Sequence, residues 1–363
     1  MQTLLVSKTD PSDLALVSVP DAPLDDGEVR LSIDSFALTS NNVTYMVFGE
    51  QLGYWHYFDP AAYGFGEDGM GRMPVWGFAT VTESRQADVP VGTEVYGFFP
   101  VADQITVRPT KVSAHGFRDG ADHRQPLHAL YNSYARTDAD PSYSVQKAIQ
   151  PVLRPLFITS FLIDDFLADN DMFGSTRIVL TSASSKTALG TAFCLKARGG
   201  VEVVGLTSAS NAAFVKSTGY YDRVITYDDV DTLETVPTVI VDMAGNGALL
   251  SRLYDRLGEH VVYACAVGKS HWQGDAAPKP VAGAAPAFFF APDNARARMA
   301  EWGADGFAKR VAERWIPFLH DAAAWMHSPE PGGAEDLLST YKDVLNGSAD
   351  PKRAALFTLK AKP

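Results

Sequence analysis

The residues with the plainest chemical potential lie in one turn, Thr181-Ser182-Ala183-Ser184-Ser185-Lys186-Thr187-Ala188-Leu189-Gly190, between a short apolar run and a helix-like run. A dinucleotide pyrophosphate sits on backbone N–H groups where a helix begins, and the chain must be small there to approach it. Ser182, Ser185 and Ala188 keep the small-x-x-small-x-x-small spacing of such a turn, without its usual glycines. Ser184, Lys186 and Thr187 add side-chain donors to phosphate. Two other readings stand beside this one. A mononucleotide P-loop ending in Lys186-Thr187 needs glycine at position 185, where serine stands. The third reading is a serine N-cap on a helix of a domain that binds no nucleotide.

Cofactor choice is read after the following strand, in Gly205-Leu206-Thr207-Ser208-Ala209-Ser210-Asn211. An acid at this point would take the adenosine ribose 2′-OH, and none is present. Thr207, Ser208 and Asn211 suit a 2′-phosphate that Lys216, Arg223 or Tyr227 could reach, so NADPH is favoured over NADH, while Lys216 and Arg223 also read as solvated surface charges. A second concentration of chemistry is the aromatic loop Tyr54-Trp55-His56-Tyr57-Phe58. It could stack a small planar or hydrophobic substrate, or pack a domain or dimer interface. His56, within it, is the one histidine close in sequence to the predicted site and reads also as structural, and Tyr131 and Tyr134 carry the same two readings as the loop.

The elements that must position these residues fall into two textures. Over roughly the first 110 residues, apolar and polar positions alternate in short spans at 14–19, 28–36, 75–82, 94–98 and 104–107, with turns at Asp25-Asp26-Gly27 and Val91-Gly92. From 115 to 150 the pattern dissolves into a polar stretch holding His115, His123 and His128, with boundaries expected at Pro141 and Pro151. A helix is predicted over 156–169. After Gly174, strands at 177–181, 201–207, 223–226, 239–243 and 261–267 alternate with helices at 187–197, 211–217 and 248–257. Strands alternating with helices imply right-handed crossovers and a doubly wound parallel sheet. A loop at 273–286, a last strand at 288–290, a helix burying Phe307, Val311, Trp315, Phe318, Ala322 and Trp325, and a final helix and strand over 334–359 complete the chain.

Composition bounds the rest. At 363 residues the chain has room for two domains, and 46% hydrophobic with 20% charged residues excludes a disordered chain or a coiled coil. Thirty-one Lys and Arg against 43 Asp and Glu leave a net charge of −12, which disfavours a nucleic-acid partner. No apolar stretch approaches the roughly 20 residues that span a bilayer, so no membrane partner is expected. Residues 1–20 hold Asp10 and Asp13 and no apolar core, so no export signal is expected. Cys194 and Cys265 lie in apolar runs and read as buried reduced thiols, which points to the cytoplasm.

A strand-rich start, a doubly wound middle and a returning C-terminus resemble the medium-chain dehydrogenase/reductase superfamily, in its zinc-free quinone oxidoreductase and enoyl reductase branch. The likeness rests on stretches 27–31, 38–45, 73–78, 91–97, 177–190 and 241–245. Ser184-Ser185-Lys186-Thr187 with Asn41-Asn42-Val43-Thr44-Tyr45 is closer still to a bacterial group catalogued as a domain of unknown function. The resemblance implies an α/β protein: a Rossmann doubly wound parallel sheet at 151–300 and a GroES-like β-barrel-type domain at 1–150, rejoined by 301–363. It sets Asn42 and Tyr45 beside the nicotinamide, Thr159 near it, and Gly245 and Gly268 along the cofactor path. It also implies a homodimer or homotetramer.

One departure from the superfamily matters. Its zinc enzymes carry a cysteine near positions 39–42 and Gly-His-Glu where Gly77-Phe78-Ala79 stands, and neither is present here. His123 and His128, five apart, fit one helical face poorly. The resemblance therefore implies a metal-free, NADPH-dependent reductase of an α,β-unsaturated carbonyl or quinone. Hydride goes to the β-carbon, and Tyr45 or solvent protonates the enolate. Two alternatives are an enoyl-thioester (CoA or carrier-protein) reductase and a non-enzymatic NADPH-binding sensor.

Overall fold

The computed structural model describes residues 1–66, 69–243, 245–268 and 282–360. The chain forms two compact units, Met1–Val152 with Met326–Pro363, and Leu153–Trp325.

The first unit is built on antiparallel sheet. Strands β1 (Gln2–Ser7), β2 (Leu14–Ser18) and β4 (Met70–Gly71) pair in the order β2-β1-β4. The larger sheet uses β3 (Val29–Ala37), β5 (Pro74–Ser84), β6 (Glu94–Pro100), β7 (Gln104–Val107), β8 (Pro109–Ser113), β9 (Gly116–Asp119), β10 (Ser133–Arg136) and β17 (Leu356–Phe357). It runs β17-β3-β5-β6-β10-β9-β8, with β7 on β3, as a curled antiparallel half-barrel of the GroES-like kind. The predicted strands at 14–19, 28–36, 75–82, 94–98 and 104–107 are present to within a few residues. β1 carries no alternation because residues 3–6 are all buried, and a strand covered on both faces reads as one apolar run.

Residues 115–150 form β9, β10 and several short 3-10 turns, and part of their polarity is buried. Arg124, fully buried, donates from Nε to Asn132 Oδ1 (2.8 Å), from one terminal nitrogen to Asp119 Oδ2 (2.8 Å) and Tyr134 OH (3.0 Å), and from the other to Tyr131 O (2.8 Å). Buried polar groups survive when paired in this way.

Helix α1 (Ser40–Val47) follows β3, and helix α7 (Ala334–Leu345) returns with β17. The return holds α1 in place: Tyr341 OH donates to Pro11 O (2.5 Å) and lies 3.3 Å from Met46 Sδ, while Leu356 pairs with Ala37.

The second unit is a six-stranded parallel sheet in the order β13-β12-β11-β14-β15-β16. The strands are β11 (Arg177–Leu180), β12 (Glu202–Thr207), β13 (Arg223–Thr226), β14 (Thr238–Asp242), β15 (Val261–Ala266) and β16 (Pro286–Phe288). Helices α2 (Gln150–Asp169), α3 (Lys186–Arg198), α4 (Ala209–Ser217), α5 (Gly247–Leu257) and α6 (Ala291–Trp325) flank them. This is the doubly wound Rossmann arrangement, whose chain order reverses beside β11 and creates a crevice at the carboxyl ends of the strands. Helix α2 begins six residues before its expected start because Pro151 lies in the first turn, where a missing N–H costs nothing. The last strand comes at 286–288 rather than 288–290, and α6 breaks at Gly303. Residues 273–281 of the expected loop lie outside the described residues.

Candidate active site

In the second unit the predicted phosphate turn stands at the carboxyl edge of the sheet. β11 ends at Leu180 and the chain reverses through Ser182, whose φ of 48° is left-handed. Ala183 N–H then bonds Leu206 O (2.9 Å) and Ser185 N–H bonds Ser182 O (2.8 Å). Ser185 Oγ caps α3 by accepting from Ala188 N–H (3.2 Å), so Lys186 and Thr187 open the helix. A Cβ on Gly205 would lie 2.8 Å from the Ala183 Cβ and 2.8 Å from the Tyr221 ring. The bare backbone of β12 is what lets the turn settle against it.

The other predicted cofactor residues gather here. Asn211 Nδ2 donates to Ser184 Oγ (3.2 Å), Ser208 Oγ lies 2.9 Å from Ser210 Oγ, and Ser182 Oγ lies 3.5 Å from Tyr227 OH. Thr207 Oγ1 is buried and has no hydrogen-bond partner among the described residues. Beneath the turn, Thr181 Oγ1 donates to Asp242 Oδ1 (2.6 Å) and accepts from Met243 N–H (3.0 Å), while Gly245 N–H donates to Asp242 Oδ2 (3.0 Å). This Thr181–Asp242 clasp was not anticipated. Its signal in the sequence is a polar residue ending each of two apolar strands. Gly268 follows β15 by two residues.

Strand direction decides between the two readings of Arg223. Arg223 opens β13, paired with Val204 rather than Thr207, and is ion-paired to Glu234 (2.7 Å) and Glu202 (3.5 Å). It therefore sits toward the amino edge, about 10 Å of strand from Thr207. Lys216 lies on the last turn of α4, carried about 12 Å from Ser208 by the helix rise.

In the first unit, Tyr45, Tyr54 and Tyr131 come together as buried neighbours. Thr39 and Asn42 form a capping box: Asn42 Oδ1 accepts from Thr39 N–H (2.7 Å), and its Nδ2 donates to Pro74 O (2.8 Å). One end of the Asn42 amide thus caps α1 and the other fastens it to the start of β5. Two residues beyond Pro74, Trp76 Nε1 donates to Tyr45 OH (3.0 Å). The Tyr45 ring lies 4.6 Å from Tyr54, 5.4 Å from Phe98 and 6.4 Å from Tyr131, centroid to centroid. Tyr54 OH and Tyr131 OH are 3.2 Å apart, and Tyr57 OH donates to His128 O (3.1 Å).

Burial pushes the hydroxyl pKa of Tyr45 and Tyr131 upward, with nearby Tyr54 adding to it, and pushes Tyr54 up to about 12. These groups stay protonated at neutral pH and act as hydrogen-bond donors. Trp76 and Phe98 complete the cluster without having been predicted. A half-buried indole N–H needs an acceptor, which is the one local hint for Trp76.

Three other predicted residues make contacts of their own. Trp55 is seated on glycines: a Cβ at Gly49 would lie 2.0 Å from its indole nitrogen, and one at Gly71 2.6 Å from its ring. Its packing is that of a core residue. His56 is exposed, 3.7 Å from Glu50. Thr159 directs its hydroxyl at Pro155 O on its own helix (3.5 Å). Among the described residues no group of three or more His, Cys, Asp or Glu side chains is placed to hold a metal ion, and no helix is long and apolar enough to cross a membrane.

A family model described as a protein of unknown function, DUF2855, matches residues 36–350. No curated protein matches the chain. Among solved structures, mycobacterial Rv1454c complexed with NADPH shares 14% identity and a TM-score of 0.60, over 99% of this chain and 100% of that one. The yhdH oxidoreductase from Salmonella enterica in complex with NADP shares 16% identity and a TM-score of 0.56, over 99% and 100%. CurA from Vibrio vulnificus in complex with NADPH shares 14% identity and a TM-score of 0.57, over the full length of both. At these identities the likeness is one of fold.

Proposed function

We propose, from the premise that the chain belongs to the DUF2855 family of proteins of unknown function, that it is a metal-independent, NADPH-dependent oxidoreductase. Its substrate class is an α,β-unsaturated carbonyl compound or a quinone.

The turn between β11 and α3 carries this reading. A left-handed residue, a capped helix start, the hydroxyls of Ser184, Ser185, Thr187 and Ser208, and the unpartnered Thr207 hydroxyl fit a phosphate diester. Ser208, Ser210 and Asn211, with no acid among them, suit the 2′-phosphate of NADPH. The three relatives in fold named above are each described as complexes with NADP or NADPH, which supports the same cofactor class.

Bound NADPH supplies a hydride. The chain's own part is to orient the substrate and stabilise the negative charge that develops on its oxygen. Tyr45 is the group for that task. Its oxygen accepts from Trp76, with the Asn41 side chain also in hydrogen-bonding reach, and its O–H is the donor that would meet a carbonyl oxygen. Its raised pKa keeps that proton in place, so Tyr45 stabilises the enolate oxygen while solvent protonates carbon. Asn42 acts through α1, holding Tyr45 at this position, and the rings of Tyr54 and Tyr131 offer faces for a planar substrate. The test is a panel of an enone, a quinone and an enoyl-CoA, with NADPH oxidation followed by absorbance. Turnover of the first two supports the reading. Turnover of the thioester alone moves the assignment to an enoyl-thioester reductase, and no turnover of any removes it.

A further inference from the structure

Beyond Phe58 of the aromatic loop, one locality of the first unit collects buried polar groups that no described residue fully satisfies. Arg72, in the short link between β4 and β5, is fully buried. Its Nε donates to Phe58 O (2.8 Å). The guanidinium carbon lies 4.2 Å from the Tyr63 ring centroid, 5.1 Å from Phe65 and 6.0 Å from Phe58. Both terminal nitrogens, with four N–H donors between them, have no hydrogen-bond partner among the described residues. The Tyr63 hydroxyl and His123 Nε2 are likewise buried and unpartnered, with their rings 5.5 Å apart. The Tyr63 hydroxyl feels the charge of Arg72 and Arg124 and lies in loose hydrogen-bonding reach of both guanidinium groups, with a bond of full geometry to neither. His123 is held by a hydrogen bond to the Tyr57 backbone.

The charges around the site do not balance. Arg124 is neutralised by Asp119 at 2.8 Å. Asp59 acts on Arg72 only at a distance, and its Oδ1 accepts from Ala61 N–H (3.1 Å). Burial lowers the Arg72 pKa to about 10, still far above neutrality, so the guanidinium remains a cation. Among the described residues one positive charge is therefore enclosed with its terminal donors unused, an arrangement that folded proteins resolve by pairing or by a bound ion.

We propose that Arg72 and Tyr63 form a buried site for one monovalent inorganic anion of about chloride size. The charge sets the valence, since a single positive charge is left over. The enclosing rings of Phe58, Tyr63 and Phe65 and the complete burial of Arg72 set the size. The site fastens the loop at 54–65, because the same guanidinium holds Phe58 O, and that loop carries Tyr54 and Tyr57. It stands independently of the oxidoreductase reading.

The direct test is a crystal of the full chain soaked in bromide, with an anomalous difference map at the bromine edge. A peak within hydrogen-bonding reach of the Arg72 terminal nitrogens supports the site. Water alone, a side chain of the protein, or no density there overturns it. In solution, sodium bromide titrated against sodium gluconate at equal ionic strength should raise the melting temperature saturably. Arg72→Met should lose that response. Where Arg72→Met does not fold, Tyr63→Phe, which keeps the guanidinium and removes one donor, should shift the half-effect concentration upward severalfold. The same bromide response in the wild type and in whichever variant folds overturns the proposal.

Discussion

Replacing Tyr45 by phenylalanine separates a catalytic hydroxyl from a packing ring. The ring contacts with Tyr54 at 4.6 Å and Phe98 at 5.4 Å survive the change. What is lost is one hydrogen bond, from Trp76 Nε1 at 3.0 Å, and Trp76 is only part-buried, so water can replace the partner. The stability cost is then about 1 kcal/mol, the net worth of one such bond. A donor to a developing oxyanion is worth more, about 100-fold in kcat, or some 2.7 kcal/mol. The expected pattern is a fall in kcat near two orders of magnitude, a small drop in the urea midpoint and an unchanged Kd for NADPH. Because burial holds the hydroxyl well above its ordinary pKa, kcat should show no basic limb from Tyr45 below about pH 10. Steady-state kinetics with the best substrate of the panel, across pH and in both proteins, decides the matter. A kcat within twofold of wild type, or a basic limb below pH 10 that the variant abolishes, would refute the reasoning.

Other outcomes follow from the same geometry. Lys186→Ala removes the one cationic side chain on the opening residue of α3 and should weaken NADPH about tenfold, the worth of one charge-assisted hydrogen bond. An unchanged Kd would displace the pyrophosphate from this turn. Ser182→Gly relieves a left-handed serine at φ 48° and should raise stability by about 0.5–1 kcal/mol in urea unfolding, unless its contact with Tyr227 matters more than its 3.5 Å length implies. Tyr54, pushed up to about 12 by burial, ionises later in the folded than in the unfolded chain. Its contribution is fully present below about pH 10, the ordinary tyrosine value, and is lost as pH rises toward 12. The urea midpoint should therefore decline above pH 10, and a flat profile through that range would contradict the burial of this cluster.

The strand–turn–helix unit at 177–198 was legible because strand, small turn and helix succeed one another in a fixed grammar, which survives the replacement of glycine by Ser182 and Ser185. What that grammar omits is direction. Arg223 opens a parallel strand and so falls at the edge opposite the cofactor crevice, a conclusion the predicted strand already contained. The polar stretch at 115–150 misled for a different reason. Hydropathy assigns charge to solvent, whereas Asp119 and Arg124 neutralise each other inside and Asn132, Tyr131 and Tyr134 take up the remaining donors. The meeting of Tyr45 with Trp76 joins residues 31 apart in the chain, and no periodicity speaks to such a pair. Arg72 gave no local signal, since its isolation depends on Tyr63, Phe65 and His123 folding around it. The second-unit strands, short apolar runs buried on both faces, were the easiest to place.

The central claim is that the turn at 182–187 binds NADPH, and its most direct test is titration of the purified chain with NADPH and with NADH, read by tryptophan quenching and by melting temperature. The account predicts saturable binding of NADPH with a raised melting temperature, and an affinity for NADH at least tenfold weaker. Absence of binding by both cofactors would contradict it.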